Sequence, residues 1–418
     1  MSNWDLIPLK HIGRINPEVL GEDVSPDHEM LYVDIGSVGQ GRLTADPQPM
    51  LFDEAPSRAR RVLRQGDSIV STVRTYLRSA WFVRECAPGL IASTGFMVIR
   101  PHAKFDEEFV GWAVQSDSFI DDVVSKSVGV SYPAITSTEM SRIKIPVPPL
   151  PEQRRVAEYL GQETSQIDCL IEEYERQIAL VEEVNDALLD ELLIDGQIEF
   201  DECATPVGIA GVPMRPLRAA AQVRGGVTVD GKRKLGPEAV EVAYLRVANV
   251  QDGFLDLGEV KTIRLPPDLA LRNLLASGDV LLTEGGDPDK LGRGTVFYGE
   301  PDPCVHQNHV FSVRPSERVH PEYLALVTRS SYGKAYFEAT GTQTTGIATT
   351  NKNKVKSFRI PDIPFEEQES IVEKLKLEVA GNSRVTRELL VQIEHLQEFR
   401  RAIITTAVTE GVDACSAL

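Results

Sequence analysis

Arginine is concentrated in one short stretch of this 418-residue chain. The run RARRVLR places four arginines just before the Gly66-Asp67 pair, and STVRTYLR follows with two more arginines and a tyrosine. A guanidinium group carries five N–H donors in a planar fork, which suits phosphate oxygens and base edges. A solvated charged surface is the alternative for any single arginine, whereas the cluster as a whole favours DNA. The candidate contact residues are Arg58, Arg60, Arg61, Arg64, Arg74, Tyr76 and Arg78.

The second half of the chain carries basic and amide side chains in two further stretches, GKRK from Gly231 and GTQTTGIATTNKNKVK from Gly341. Cations suit phosphates, and forked amides suit adenine edges. If NKNKVK is a strand, its three lysines share one face. Two roles for these lysines are then equal alternatives: they bind DNA, or they protect an edge strand from aggregation. The candidate contact residues are Lys232, Arg233, Lys234, Gln343, Asn351, Lys352, Asn353 and Lys354.

Sequence patterns typical of catalysis are missing from the chain. GIATTNK lacks the second glycine of a phosphate-binding loop, and GSVGQG has the wrong spacing for a dinucleotide loop. CVHQNH offers Cys304, His306 and His309 as metal ligands, but its alternation favours one strand face and no fourth ligand is near. EVK at Glu259 matches half of a nuclease carboxylate–lysine set and fits a strand edge better. We therefore expect no catalytic residue, no cofactor and no metal.

The net charge of −18 is concentrated in one segment. Residues 152–195 hold 13 acids and 3 bases, whereas residues 1–144 hold 19 acids and 15 bases, and residues 200–360 hold 18 acids and 20 bases. The total therefore does not exclude DNA, because a polyanion meets local basic patches. The five cysteines show no paired spacing, which suits a reducing compartment better than a set of disulfides. The N-terminus has no signal-peptide pattern, and no apolar run is long enough to span a membrane. These features predict a cytoplasmic protein without a membrane partner.

One Pro-rich phrase occurs twice, as IPVPPLPEQ from Ile145 and IPDIPFEEQ from Ile360. The match continues downstream at an offset of 215, and upstream YVDIGSV matches YLRVANV at an offset of 212. Each copy is a globular part with short apolar-alternating runs and amphipathic helical stretches, followed by one long helix. The sequence therefore predicts a duplicated α+β unit, with globular domains at 1–150 and 197–363 and long helices at 151–196 and 364–412.

Each Pro-rich phrase opens a long helix, since no proline occurs between residues 152 and 195 or between 365 and 411. Seam residues recur alternately four and three apart from Leu160 to Leu192 and again from Leu375 to Ala407, which is typical of a coiled coil. Asn185 and Arg400 are polar at equivalent seam positions and are expected to set register. We expect the helices to pack as an antiparallel coiled coil about a pseudo-twofold axis. The alternative is that each helix pairs with a separate protein.

The doubled Pro-rich phrase, each copy opening a long helix after a strand-rich domain, resembles the specificity subunits of Type I restriction–modification systems. The QGD and SGD turns that enter strands, and CVHQNHVFSVRP before the second helical stretch, also match that family. The resemblance covers nearly the whole chain in order, twice over. It implies two α/β target-recognition domains, each reading one half of an asymmetric bipartite site in double-stranded DNA, with the helix pair fixing the spacing.

The resemblance also implies partners. Two methyltransferase subunits would dock on this subunit and methylate adenine with S-adenosylmethionine, and restriction subunits would supply ATP-driven cleavage. This chain itself would be non-catalytic. Three alternatives stay open: a coiled-coil adaptor whose globular domains bind proteins, an enzyme fused to recognition domains, and an inactive copy of the specificity subunit.

Overall fold

The computed structural model describes residues 4–129, 132–194, 196–229, 235–286, 291, 292, 294–344 and 347–416. The chain divides into two compact units. The first unit comprises Met1–Glu175 and Leu389–Leu418, and the second comprises Arg176–Glu388. Among the described residues, no helix combines the length and the apolar character that crossing a lipid bilayer requires.

The globular part of the first unit contains ten strands and four short helices among its described residues. In chain order they are β1 (Asp5–Pro8), α1 (Leu9–Ile12), β2 (Gly13–Ile15), β3 (Glu29–Val33), β4 (Gln48–Leu51), β5 (Ala59–Val62), β6 (Ser68–Ser71), β7 (Ala80–Phe82), β8 (Leu90–Ser93), β9 (Phe96–Pro101), α2 (Glu107–Ala113), α3 (Asp117–Ser125), α4 (Ser137–Met140) and β10 (Lys144–Val147).

Two four-stranded sheets form the body of this part, in the orders β2-β9-β6-β7 and β4-β3-β8-β5. Strands β3 and β8 run parallel, whereas the other paired strands of these sheets are antiparallel. All four residues of β6 and the first four of β9 are buried, which agrees with the unbroken apolar run Phe96–Ile99 of β9. One apolar core contains residues of both sheets, including Val33, Ile69, Phe96 and Val98.

The second unit is reached through the first long helix, α5 (Leu150–Leu193). Its other elements are β11 (Ile198–Phe200), β12 (Pro206–Ile209), β13 (Met214–Pro216), α6 (Leu217–Ala220), β14 (Ala221–Gly225), β15 (Val240–Leu245), β16 (Lys261–Leu265), α7 (Pro267–Asn273), β17 (Val280–Thr283), β18 (Gly285–Gly286), β19 (Gly294–Val296), β20 (Cys304–His306), β21 (Val310–Pro315), α8 (Pro321–Arg329), α9 (Ser331–Thr340), β22 (Thr342–Thr344), β23 (Ile347–Thr349), α10 (Lys352–Ser357) and β24 (Arg359–Pro361).

The second unit repeats the topology of the first. Its four-stranded sheet has the order β14-β21-β17-β19, which matches β2-β9-β6-β7 strand for strand. Strands β15 and β20 pair in parallel, as β3 and β8 do. The three-stranded sheet β18-β23-β22 corresponds to two isolated bridges of the first unit, in which Ala134 pairs with Val73 and with Val128. The shared topology agrees with the duplication read from the sequence.

The second long helix is α11 (Phe365–Glu410), and the short α12 (Val412–Cys415) follows it. Within the first unit, α5 and α11 run antiparallel, because Asp168 pairs with Arg400 while the earlier Arg155 pairs with Asp413 beyond the end of α11. Within the second unit, Asn185 lies against Asn382, and α5 residues join α11 residues in one core. The predicted fold class of two strand-rich α/β domains with two long antiparallel helices is confirmed.

Candidate nucleic-acid interface

Strand β5 and the residue before it carry the arginines of the first stretch. Arg58 donates from Nη2 to Asp34 Oδ1 at 3.0 Å and from Nε to the Tyr32 hydroxyl at 3.2 Å. Its side chain nevertheless stays about half exposed. Hydrogen bonding to Tyr32 and the charge of Asp34 raise the pKa of Arg58. The guanidinium is therefore held in a defined place and keeps donors for a further anion.

The next arginines differ in their surroundings. The Arg60 guanidinium lies over the Phe52 ring, 4.6 Å from its centroid. Arg61 is half-buried, burial lowers its pKa, and its Nε has no acceptor among the described residues. Arg64 donates from Nη2 to Glu18 at 2.6 Å and remains largely exposed. The run therefore presents Arg58 and Arg64 at the surface, with Arg61 facing inward.

A second cluster lies at a three-residue 3₁₀ turn, Thr75–Leu77, flanked by Arg74 and Arg78. Arg74 lies over the Tyr132 ring, 4.9 Å from its centroid. Arg78 binds Asp117 and also donates to Asp121 at 3.2 Å, so it ties the turn to helix α3. Arg78 therefore positions the turn, whereas Arg74 and Tyr76 remain available for a ligand.

The second unit places its candidates differently from the sequence expectation. The condition that NKNKVK forms a strand is not met, because Lys352–Ser357 is helix α10. Asn351 is the N-cap of that helix, and its side chain accepts from the amides of Asn353 and Lys354. A capping asparagine stabilises a helix start, and this local hydrogen bond outweighs the alternating pattern. At helical spacing the three lysines do not share one face.

The remaining candidates of the second unit have mixed placements. Lys352 and Asn353 are exposed, and Lys354 Nζ donates to Thr342 Oγ1 at 3.2 Å. The backbone of Gln343 pairs with Ala348 in the β22–β23 hairpin. Lys232, Arg233 and Lys234 lie outside the described residues. The hairpin and α10 therefore bring the C-terminal candidates of this unit to one region.

Sequence reasoning missed the buried ion pairs that hold each sheet. Asp67 is fully buried and accepts from Arg100 at 2.7 and 2.8 Å, and Asp279 accepts from Arg314 at 2.6 and 2.7 Å. Each aspartate follows the glycine of the repeated Gly-Asp pair, and each arginine precedes the repeated proline. Repetition of these two dipeptides was the signal that could have revealed the pairs.

The CVHQNH stretch forms strand β20 and the turn after it. Cys304 and His306 are buried, and His306 Nδ1 is 2.8 Å from the carbonyl oxygen of Val310. Burial lowers the pKa of His306 to about 4, so the ring is neutral at physiological pH. His309 lies apart from them and pairs with Glu284 at 2.6 Å. Among the described residues, no group of three or more potential metal ligands is clustered.

Comparison with known proteins identifies relatives that this chain resembles. The sequence profile of the Type I restriction modification DNA specificity domain matches residues 66–178. The chain is 21% identical over 338 residues to the Type I restriction enzyme StySPI specificity subunit of Salmonella potsdam, which covers 77% of this chain and 68% of that one. The EcoKI specificity subunit of Escherichia coli (strain K12) is 20% identical over 325 residues, with the same coverage. The chain is therefore similar in sequence to Type I restriction enzyme specificity subunits.

The family resemblance predicted from the doubled Pro-rich phrase is thereby confirmed. A solved structure described as a study of complex assembly and conformational transition of the type I R-M system matches this chain over 99% of both chains. The TM-score is 0.64 at 22% identity, so this likeness concerns the fold.

Proposed function

We propose that this chain is the specificity subunit of a Type I restriction–modification system and that it recognises an asymmetric, bipartite sequence in double-stranded DNA. Residues 1–150 and 197–363 are its two target-recognition domains, and the helices at 151–196 and 364–412 set the distance between the half-sites. The observation that carries the proposal is a duplicated sheet topology with dissimilar residues at the ends of its strands. A protein built to read one repeated sequence has no need for such divergence.

The divergence is sharpest after the strand that follows each Gly-Asp pair. Strand β6 of the first unit leads to the arginine-flanked turn Thr75–Leu77. Strand β17 of the second unit leads to β18, which pairs with β23 as Val73 pairs with Ala134 in the first unit. The residues at this point of the two sequences differ, with TVRTYLR in the first unit and EGGDPDK in the second. Base readout depends on the side chains presented at such tips, whereas the sheets only position them. Different tips on a shared scaffold therefore favour two different half-sites.

The contacts proposed for the first half-site are the arginines whose side chains stay accessible. Arg58, Arg64 and Arg74 suit phosphate or guanine, and Tyr76 suits a base or a backbone contact. In the second unit, Lys352, Asn353 and Lys354 lie beside the β22–β23 hairpin, and we propose them for the second half-site. Phosphate contacts among these set the salt dependence of binding, and base contacts set its specificity.

The long helices support a spacer role. In the first unit the seam is buried, with Leu160, Ile167 and Ile171 of α5 and Ile393 and Ile403 of α11 at most 8% exposed. Each such side chain contributes ~1.5–3 kcal/mol when fully buried, so the helices resist separation. A continuous helix of 44 residues (α5) spans roughly 66 Å at ~1.5 Å per residue, enough to act as a rigid spacer.

The subunit is proposed to be non-catalytic and to act with methyltransferase subunits, two per complex, and with restriction subunits. Its relatives are named specificity subunits of restriction enzymes, and its sequence lacks nucleotide and methyl-donor motifs. S-adenosylmethionine and ATP are therefore assigned to the partners rather than to this chain.

Methylation mapping of host DNA with and without the gene tests the proposal. We expect one bipartite adenine-methylation motif to disappear when the gene is deleted. Replacing residues 1–144 with the equivalent residues of another family member should then change one half of the motif only. Unchanged methylation, together with binding that is insensitive to salt, would instead favour the adaptor that binds proteins through its globular domains.

A further inference from the structure

Two large side chains at the tip of the Thr75–Leu77 turn point to a use beyond positioning. Tyr76 is 54% exposed and Leu77 is 46% exposed, so neither contributes much to the core. Arg74 and Arg78 flank the turn on either side. An aromatic ring and a branched aliphatic side chain are therefore exposed between two arginines.

The backbone on both sides of this pair is in the left-handed region. Arg74 has φ 48° and Arg78 has φ 58°, and neither residue is glycine. Non-glycine residues keep this conformation only when their surroundings hold it, and such positions cluster at binding sites. The two arginines turn the chain sharply enough to place Tyr76 and Leu77 at its outermost point.

The base of the turn is anchored on several sides. The Thr75 side chain is buried, and its hydroxyl lies 2.8 Å from that of Ser127. The amide of Arg74 donates to the carbonyl oxygen of Pro133 at 2.8 Å. The Arg78 guanidinium binds Asp117 and Asp121 of helix α3. The tip is therefore preorganised, which lowers the entropy lost when its side chains enter a ligand.

We propose that Tyr76 and Leu77 form a wedge that inserts at a base-pair step of the first half-site and partly unstacks it. This inference rests on the proposed DNA-binding function and adds the mode of contact. Leucine is among the side chains that enter base steps, and tyrosine rings stack on bases. Arg74, held over Tyr132 beside the tip, is placed to bind the phosphate next to the opened step.

A duplex selected by the full-length chain from a random-sequence library provides the probe. 2-Aminopurine is placed in turn at each adenine of the first half-site, because its fluorescence rises when it is unstacked. The wild-type chain and Tyr76→Phe should raise the fluorescence at one step, and Tyr76→Ala should not. Tyr76→Ala should also bind roughly 5- to 100-fold more weakly, as expected for a lost stacking contact. Leu77→Ala tests the aliphatic half of the wedge.

A mismatch at the same step gives a second readout that a merely structural role does not move. Because the mismatch removes part of the unstacking cost, it should tighten binding of the wild-type chain and leave Tyr76→Ala unchanged. Phe200→Ala removes an exposed aromatic residue of the second unit and is the matched control. Circular dichroism verifies that each variant folds. If Tyr76→Ala does not fold, Leu77→Ala serves as the test variant.

The outcomes separate the two proposals. If the chain selects a duplex but Tyr76→Ala and Leu77→Ala behave like Phe200→Ala in affinity and fluorescence, the wedge is wrong and DNA recognition stands. If the chain selects no duplex at all, both proposals are overturned. Loss of fluorescence change together with retained salt dependence in Tyr76→Ala supports the wedge, because the phosphate contacts then persist without it.

Discussion

Arg400 of α11 is buried against Asp168 of α5. Its Nε donates to Asp168 Oδ1 at 2.9 Å and its Nη2 to Oδ2 at 3.3 Å, and the residue is 8% exposed. The guanidinium also lies 5.9 Å from the Trp112 ring centroid, which joins the helices to the globular part of the first unit. At the equivalent seam position of the second unit, Asn185 accepts from Asn382 Nδ2 at 2.6 Å. The two units therefore use different polar pairs in the same seam.

Removing one member of the ion pair should destabilise the protein. Asp168→Ala leaves the Arg400 charge buried without its carboxylate, and we expect the free energy of unfolding to fall by about 1–3 kcal/mol in urea denaturation. Glu172→Ala, an exposed position on the same helix, is the control and should change it by less than about 0.5 kcal/mol. Replacing both partners, as Asp168→Leu with Arg400→Met, should recover most of the loss. Additive losses in the double variant would contradict the pairing.

The buried carboxylate of Asp279 should make stability depend on pH. Burial raises its pKa, but the hydrogen bonds from Arg314 and the Ala276 amide lower it by more, so the folded-state pKa lies below the ordinary value. This stabilisation is fully present above the unfolded-state pKa of ~3.9 and is lost as the pH falls through the folded-state pKa. Asp279→Asn should therefore lower the free energy of unfolding by roughly 2–4 kcal/mol at pH 7.

The difference between Asp279→Asn and the wild type should shrink as the pH falls below about 4, when the wild-type carboxylate takes up its proton. Urea unfolding at a series of pH values measures it. Glu317→Gln, at an exposed carboxylate of the same unit, should show no such trend. A difference that stays constant across the series would argue against the ionised carboxylate as the stabilising group.

Gly111 in helix α2 should tolerate alanine only if its neighbour shrinks. A Cβ at this position meets the Phe82 ring at 2.8 Å, so Gly111→Ala is expected to cost about 1–3 kcal/mol through overpacking. The second unit has Ala325 and Val296 at the equivalent positions, beside a cleft of about 220 Å³. Gly111→Ala with Phe82→Val should therefore be more stable than the sum of the single variants predicts.

A matched glycine makes the test specific. At Gly161 in helix α5, a Cβ meets its nearest atom, Glu108 Oε1, only at 3.9 Å. Gly161→Ala should therefore stabilise the helix by about 0.5–1 kcal/mol. Equal effects of alanine at positions 111 and 161 in thermal or urea unfolding would show that contact with Phe82 does not determine the need for glycine.

The spacing proposal predicts the effect of helix length. Removing one heptad from both α5 and α11, which keeps the seam period, shortens each by ~10 Å. We expect the preferred gap between half-sites to shorten by about three base pairs at ~3.4 Å each, or binding to be lost. Selection from a library with varied gaps measures it. Deleting the heptad from α5 alone shifts the seam and should weaken binding more, and an unchanged gap in the paired deletion would contradict the spacer role.

The doubled phrase, the long helices and the positions on their seam followed from the sequence because they depend on repetition and local periodicity, and the expected antiparallel direction followed from the duplication. Prolines mark the starts of α5 and α11, and the alternating four- and three-residue spacing placed Leu160, Asn185 and Arg400 on the seam. The NKNKVK stretch failed because its pattern allowed a strand, whereas the capping hydrogen bonds of Asn351 select a helix.

The sequence by itself determined that this protein is a duplicated α+β unit with two long paired helices and an arginine-rich surface in the first unit. Only the tertiary structure decided which arginine side chains stay accessible to solvent and which acidic side chains bind them. Arg58, Arg64 and Arg78 find their acid partners 24, 46 and 39 residues away in the chain. Such partners meet only when the strands, turns and helices of the unit pack together, because tertiary packing, rather than sequence spacing, brings distant side chains into hydrogen-bonding distance.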